Sequence, residues 1–191
     1  MKNHCWYKLN LDTSNAIRKD YKFVIPNKPL GVWHVPALTI FNTEWLQYAE
    51  SNGIPIDHAM VFYRGANANA PAAHVDLSKS DKIRFCSFGI NWAIGGAGSE
   101  MVWYDKPKSG YDVKYTESGN PFMDWSFSEL TEVDRTAINS ELTLVKVDYP
   151  HTVSMKDEPR WCISARTKIR DDLPWNTVVN IMRSKNLLIE R

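Results

Sequence analysis

A mainly β domain with flanking helices is the fold class this chain predicts, on three observations. Short runs rich in β-branched and aromatic residues recur along it, at residues 59–64, 82–91, 99–104, 142–149 and 160–166. Stretches of turn-forming residues, such as 65–71 and 152–159, separate them. Helical spacing of apolar residues is confined to two places, 43–53 and 174–184.

Taken in order, residues 21–25 and 31–35 read as two short β-like runs, split by Pro26 and Pro29, that pad the outside of a main sheet. A helix then follows, with Thr43 as N-cap, Glu44 near the positive end of its dipole and Gly53 available for a left-handed position past its end. The strand at 59–64 runs into a loop from Gly65 to Pro71, so His74-Val75-Asp76 sits where a loop enters a new strand. A single strand is expected from Lys82 to Asn91. Gly95-Gly96-Ala97-Gly98 lacks the Gly-Lys-Ser/Thr of a phosphate loop and reads as a turn before the strand at 99–104.

Residues 106–140 mix Pro, Gly, Ser and acidic residues with Tyr111, Tyr115, Phe122, Trp125 and Phe127. A stretch of that length inside a compact domain is functional, mobile or partly structured. Two readings stand: part of a lid or wall over a substrate cavity, or an insertion packing its aromatics outside the core. Ser126 and Glu129 have the spacing of a capping box for a short helix. Pro150, which has no N–H, ends the strand at 142–149 and leaves His151 just beyond it. After a polar turn at 152–159, the next strand puts Arg160, Cys162, Ser164 and Arg166 on one face. The second helix, from Pro174 to about Ser184, repeats Trp175, Val178, Val179 and Met182 at helical intervals.

The chemistry lies in His74, Asp76 and His151. Residues i and i+2 of a strand project to the same side, so His74 and Asp76 can grip one ion, with the third ligand brought by a distant strand. Two imidazoles and one carboxylate are the facial triad that holds Fe(II) and leaves open positions on the metal. A guanidinium on the strand that follows would bind a carboxylate at two points.

With Arg160 nine positions after His151, the combination resembles the Fe(II)- and 2-oxoglutarate-dependent oxygenases. The likeness covers residues 59–166. Residues 82–91 are similar to the strand after the first metal ligands in the aspartyl/asparaginyl β-hydroxylase-like branch. The small size and residues 99–104 are similar to small oxygenase-like proteins of bacteriophages. The resemblance implies a double-stranded β-helix (jelly-roll or cupin-like), as one domain over residues 1–191 with its core at about 59–169. It implies a dioxygenase that uses O₂ and 2-oxoglutarate to hydroxylate a small molecule or a peptide, an Asp or Asn side chain being one candidate. Arg160 or, since Cys162 stands where many members place Ser, Arg166 would anchor the cosubstrate. Arg84, Ser87 and Asn91 would support it if they point inward, the bland reading of Arg84 being a surface salt bridge.

Composition bounds the alternatives. The chain has 191 residues, 43% of them hydrophobic and 24% charged, as in an ordinary globular domain. A net charge of +1 offers no strong sign of nucleic-acid binding. No apolar run of about eighteen residues suggests a membrane span, and residues 1–6 lack the apolar core of a secretory signal. A cytoplasmic protein is therefore expected, in the host cytoplasm if phage-borne. Three cysteines without metal-binding spacing read as reduced core thiols. His4, His34 and His58 read as structural or exposed. Two other functions remain open: a cupin-like metalloenzyme that does not use 2-oxoglutarate, and a non-catalytic β-sandwich binding module.

Overall fold

A computed structural model of the chain describes residues 4–70, 72–79, 83–106, 112–116, 119–170 and 172–190. Pro71, Lys82 and Tyr111, named above, lie outside the described residues. The N-terminal part forms β1 (Trp6–Leu9), β2 (Leu30–Pro36), the short helix α1 (Ala37–Ile40) and α2 (Thr43–Ser51). Strands β3 (Ile56–Arg64), β4 (Ala73–Lys79), β5 (Ile83–Phe85), β6 (Phe88–Gly95) and β7 (Glu100–Tyr104) follow. Next come β8 (Lys114–Tyr115), β9 (Pro121–Trp125), a 3₁₀ turn (Phe127–Glu129) and β10 (Glu132–Thr136). The C-terminal part supplies β11 (Thr143–Lys146), β12 (His151–Ser154), β13 (Arg160–Thr167), α3 (Trp175–Ser184) and β14 (Leu188–Ile189).

The protein is mainly β, with two antiparallel sheets and few helices. Each sheet has seven strands; the larger, so called for its longer strands, has the order β14-β1-β11-β6-β13-β3-β2, and the smaller has the order β10-β7-β12-β4-β9-β8 with β5 attached to β4. From β3 to β13 the chain keeps crossing from one sheet to the other, so neighbours in space are distant in sequence. That crossing brings His74 opposite His151 across β4 and β12.

Period-2 alternation decides what each face of the larger sheet meets. On its outer face Ile163 and Ala165 of β13, Ile90 of β6 and Val61 of β3 are buried in one cluster with Phe41, Trp45 of α2 and Met182 of α3. Both helices are held by their apolar stripes, and on α3 Trp175, Val178, Val179 and Met182 are all buried. The inner face looks toward the smaller sheet. There Ala93, Val145 and Val147 pack against Met101 and Trp103 of β7, and the Trp103 indole N–H donates to the Lys146 carbonyl at 2.7 Å.

Several local expectations need correction. Residues 21–25 form no strand; Tyr21 and Phe23 pack edge to face instead. Asn42, not Thr43, occupies the N-cap position of α2, but it makes no side-chain capping bond and its amide donates instead to the Asn15 carbonyl at 2.6 Å. Gly53 takes φ +83 just past the helix, the left-handed position its lack of a Cβ permits. The expected strand at 82–91 is two, β5 on the smaller sheet's β4 and β6 in the larger sheet, because the chain changes sheets at Cys86-Ser87. The polar turn expected at 152–159 begins later, since His151–Ser154 pair with β7 as strand β12. Ser126 precedes the 3₁₀ turn without a side-chain cap, its hydroxyl bonding Ser128 instead. No helix among the described residues is long and apolar enough to cross a membrane. All three cysteines are buried and none is in a disulfide.

Candidate metal centre

His74 and Asp76 project from β4 into the space between the sheets, and His151, the first residue of β12, meets them there. The strand expected at 142–149 is shorter: β11 ends at Lys146, a bend at Asp148-Tyr149 and not Pro150 carries the chain across, and it enters the other sheet at His151. The donor atoms of the three side chains lie within 4.8 Å of one another. The imidazole rings are 4.5 Å apart between centroids and inclined at 49°. His74 Nε2 is 3.7 Å from Asp76 Oδ1. An ion bonded at about 2.0–2.2 Å brings neighbouring ligand atoms to roughly 3 Å, so small side-chain rotations would close the cluster around it.

Electrostatics suits the donors to that task. Burial, reinforced by the charge of His151, pushes the His74 pKa down to about 3. His151 is likewise held below the ordinary imidazole value by burial, against the pull of Asp76. Both rings are therefore neutral near pH 7, with lone pairs free to bind. His151 Nδ1 lies 2.9 Å from the Tyr149 carbonyl, which can only accept, so Nδ1 carries the proton and Nε2 is the free donor. Burial pushes the Asp76 carboxyl up, but His151, His74 and Arg166 outweigh it and hold the acid below its usual range. The Arg166 guanidinium lies 3.6 Å from Asp76 Oδ2.

A cavity of about 720 Å³ opens over this cluster. Leu30, Val32, Phe62, Phe88, Pro121 and Phe122 supply much of its wall, and Arg64, Arg166, Arg170, His34 and His58 are among its further polar groups. Residues 106–140 therefore contribute to the wall through Thr116, Asn120, Pro121 and Phe122.

The other predicted residues divide. Arg160 is buried to 4% exposure on the inner face of β13, pressed against Gly96, whose φ is +68 and where a Cβ would come within 2.7 Å of the Arg160 Cβ. Arg160, Arg166 and Arg64 all bear electrostatically on the buried Cys162 thiol, which lies between the two β13 arginines in sequence. Asn91 is buried on β6 opposite Ser164, and its Oδ1 has no hydrogen-bond partner. Ser87 is buried too. Arg84 does not join them: its side chain is 43% exposed and pairs with Asp172 at 3.2 Å.

Sequence reasoning missed Arg64, His34 and His58. Arg64 ends a strand, where a charged residue looks like ordinary solubilising surface, and only the pairing of β3 with β13 reveals it as inward. His34 Nε2 sits 3.3 Å from Asn120 Oδ1, and its ring stacks on that of His58 at 6.1 Å. Their alternation with Met60 and Val32 was the available signal.

No family model matches the chain, and no curated protein matches it. Among solved structures it is similar to the X-ray structure of E. coli ycfD, with 9% identity and a TM-score of 0.33. The alignment covers 69% of this chain and 31% of that one, so the chain spans about a third of the length of that structure. A likeness that loose carries no functional argument.

Proposed function

We propose that this chain is an Fe(II)- and 2-oxoglutarate-dependent oxygenase built on a double-stranded β-helix. The observation that carries the reading is the convergence of His74, Asp76 and His151 within 4.8 Å, two neutral imidazoles and one ionised carboxylate, with His74 and Asp76 lining a cavity. The fold reading draws on strand order. From β3 to β13, leaving aside β5, β8 and β9, the strands fall larger, smaller, larger, smaller, then smaller, larger, smaller, larger, a palindrome expected of a rolled-up double hairpin.

Those three residues would hold the iron, and iron so held, with O₂ and 2-oxoglutarate, supplies the oxidation that hydroxylates a C–H group. The chain's own work is orientation and exclusion. The Tyr149 carbonyl fixes the His151 tautomer, and Arg166 keeps Asp76 ionised and in place. The apolar wall keeps water away from the substrate. Guanidinium groups on the inner face of the larger sheet, Arg160 among them, would receive the distal carboxylate of the cosubstrate. The net charge is only +1 and the cavity, about 720 Å³, is of ordinary ligand size, so a small molecule or one side chain of a peptide, Asp or Asn included, is the proposed substrate class.

Anaerobic addition of Fe(II) and 2-oxoglutarate should produce a weak visible charge-transfer band. Admission of O₂ should release succinate, faster with the right member of a panel of peptides, amino acids and nucleobases. Iron binding without that band or succinate would leave a metalloenzyme of another kind and defeat the proposal.

A further inference from the structure

Resting on the oxygenase reading, a second arginine extends the cosubstrate site. Arg64 and Arg160 are register partners on β3 and β13. Residues directly opposite on antiparallel strands carry their Cβ atoms about 4.5–5.5 Å apart on the same face, and like charges so placed repel. Arg160 is 4% exposed and its Nε has no hydrogen-bond partner. Among the described residues neither guanidinium meets a carboxylate; Arg64 Nη1 donates only a long bond, 3.4 Å, to the Ala68 carbonyl. Arg166 differs, being engaged with Asp76 and with Met60 Sδ.

Two cations, one of them wholly buried, side by side and without a counter-ion, are expensive to keep unless a ligand supplies the negative charge. The two are also unequal. Arg64 lines the cavity together with His74 and Asp76, whereas Arg160 lies beneath the cavity wall. Arg64 also bears electrostatically on both imidazoles, which places its charge near the ion site.

We propose that Arg64 and Arg160 form a two-guanidinium cradle for the distal carboxylate of the 2-oxo diacid. In it Arg64 makes the direct contact and sets the preference for a diacid over a 2-oxo monoacid. Arg160 lies behind it, adding charge and fixing the fork. Burial, with Arg160 next to it, lowers the Arg64 pKa to about 10, so it stays charged near neutrality.

Calorimetric titration of the anaerobic Mn(II)-loaded protein with 2-oxoglutarate and with pyruvate, which lacks the distal carboxylate, tests this without turnover. Wild type should prefer 2-oxoglutarate. Arg64→Met should lower 2-oxoglutarate affinity by about ten- to a hundredfold, the range for a charged hydrogen-bonded contact, and leave pyruvate binding unchanged. Should Arg64→Met not fold, Arg64→Lys carries the test: the preference must still fall, since one ammonium replaces a two-point fork. A variant that keeps the wild-type preference, or loses both ligands equally, overturns the role of Arg64 and leaves the oxygenase reading standing on Arg160. A wild-type protein without any preference brings down both.

Discussion

Strand β13 buries both of its faces, but against opposite kinds of neighbour. Outward, Ile163 and Ala165 sit among Ile90, Val61, Trp45 and Met182, a continuous apolar cluster that fixes the sheet on its helices. Inward, Arg160, Cys162, Ser164 and Arg166 face the space between the sheets, joined by Arg64 and Asn91 from flanking strands. Apolar contact stabilises roughly in proportion to area. A buried guanidinium without a counter-ion does the reverse. The outer face therefore holds the fold together, and the inner face carries groups whose retention stability alone does not explain.

The largest contrast should come from Ile163→Ala. Removing a wholly buried side chain from the outer cluster should cost about 2–5 kcal/mol in denaturant unfolding, while the folded fraction still binds metal one to one. Lost metal affinity in that folded fraction would show that the two faces are not separable. Asp76→Ala, on the facing strand β4, should do the opposite. Metal affinity should drop by more than about a hundredfold, the upper range for losing a supporting residue, because here a ligand itself is lost. Unchanged affinity by metal titration would remove Asp76 from the donor set.

Arg166→Met should have a middling effect, about ten- to a hundredfold in metal affinity, with a distinctive pH signature. Asp76 must be ionised to ligate, and Arg166 is among the charges that hold its pKa below the usual value. Without the guanidinium that pKa rises, so the acid limb of metal binding should move to higher pH. An acid limb that stays put, or moves lower, contradicts this role. The smallest effect belongs to Arg84→Ala, which breaks an exposed pair with Asp172. Stability should change by less than about 1 kcal/mol and 2-oxoglutarate affinity not at all; a large loss of affinity would return Arg84 to the site.

Legibility in the sequence followed the range of the interactions. His74 and Asp76 were readable because i, i+2 placement on a strand is local geometry, and α3 was readable because its four buried residues repeat at helical intervals. His151 was legible as a residue but not as the start of a strand, since Pro150 masks the point where the chain changes sheets. The break at Cys86-Ser87 was hidden because no glycine or proline marks it, and with it the fate of Arg84, which belongs to β5 and not to the inner face of β6. Arg64 was illegible because its meaning comes from a partner far along the chain, Arg160, through a register no local pattern encodes. Asn42 stands at the N-cap position without a side-chain capping bond, its amide donating instead to the carbonyls of Asn15 and Ile17, contacts that no local pattern encodes.

The central claim is that residues 74, 76 and 151 act together on one divalent ion. Anaerobic equilibrium dialysis of Fe(II) against the wild-type chain, His74→Ala and His151→Ala measures it directly. The account predicts one tightly held iron per wild-type chain and its loss in both variants alike. Equal iron binding by all three proteins would contradict it.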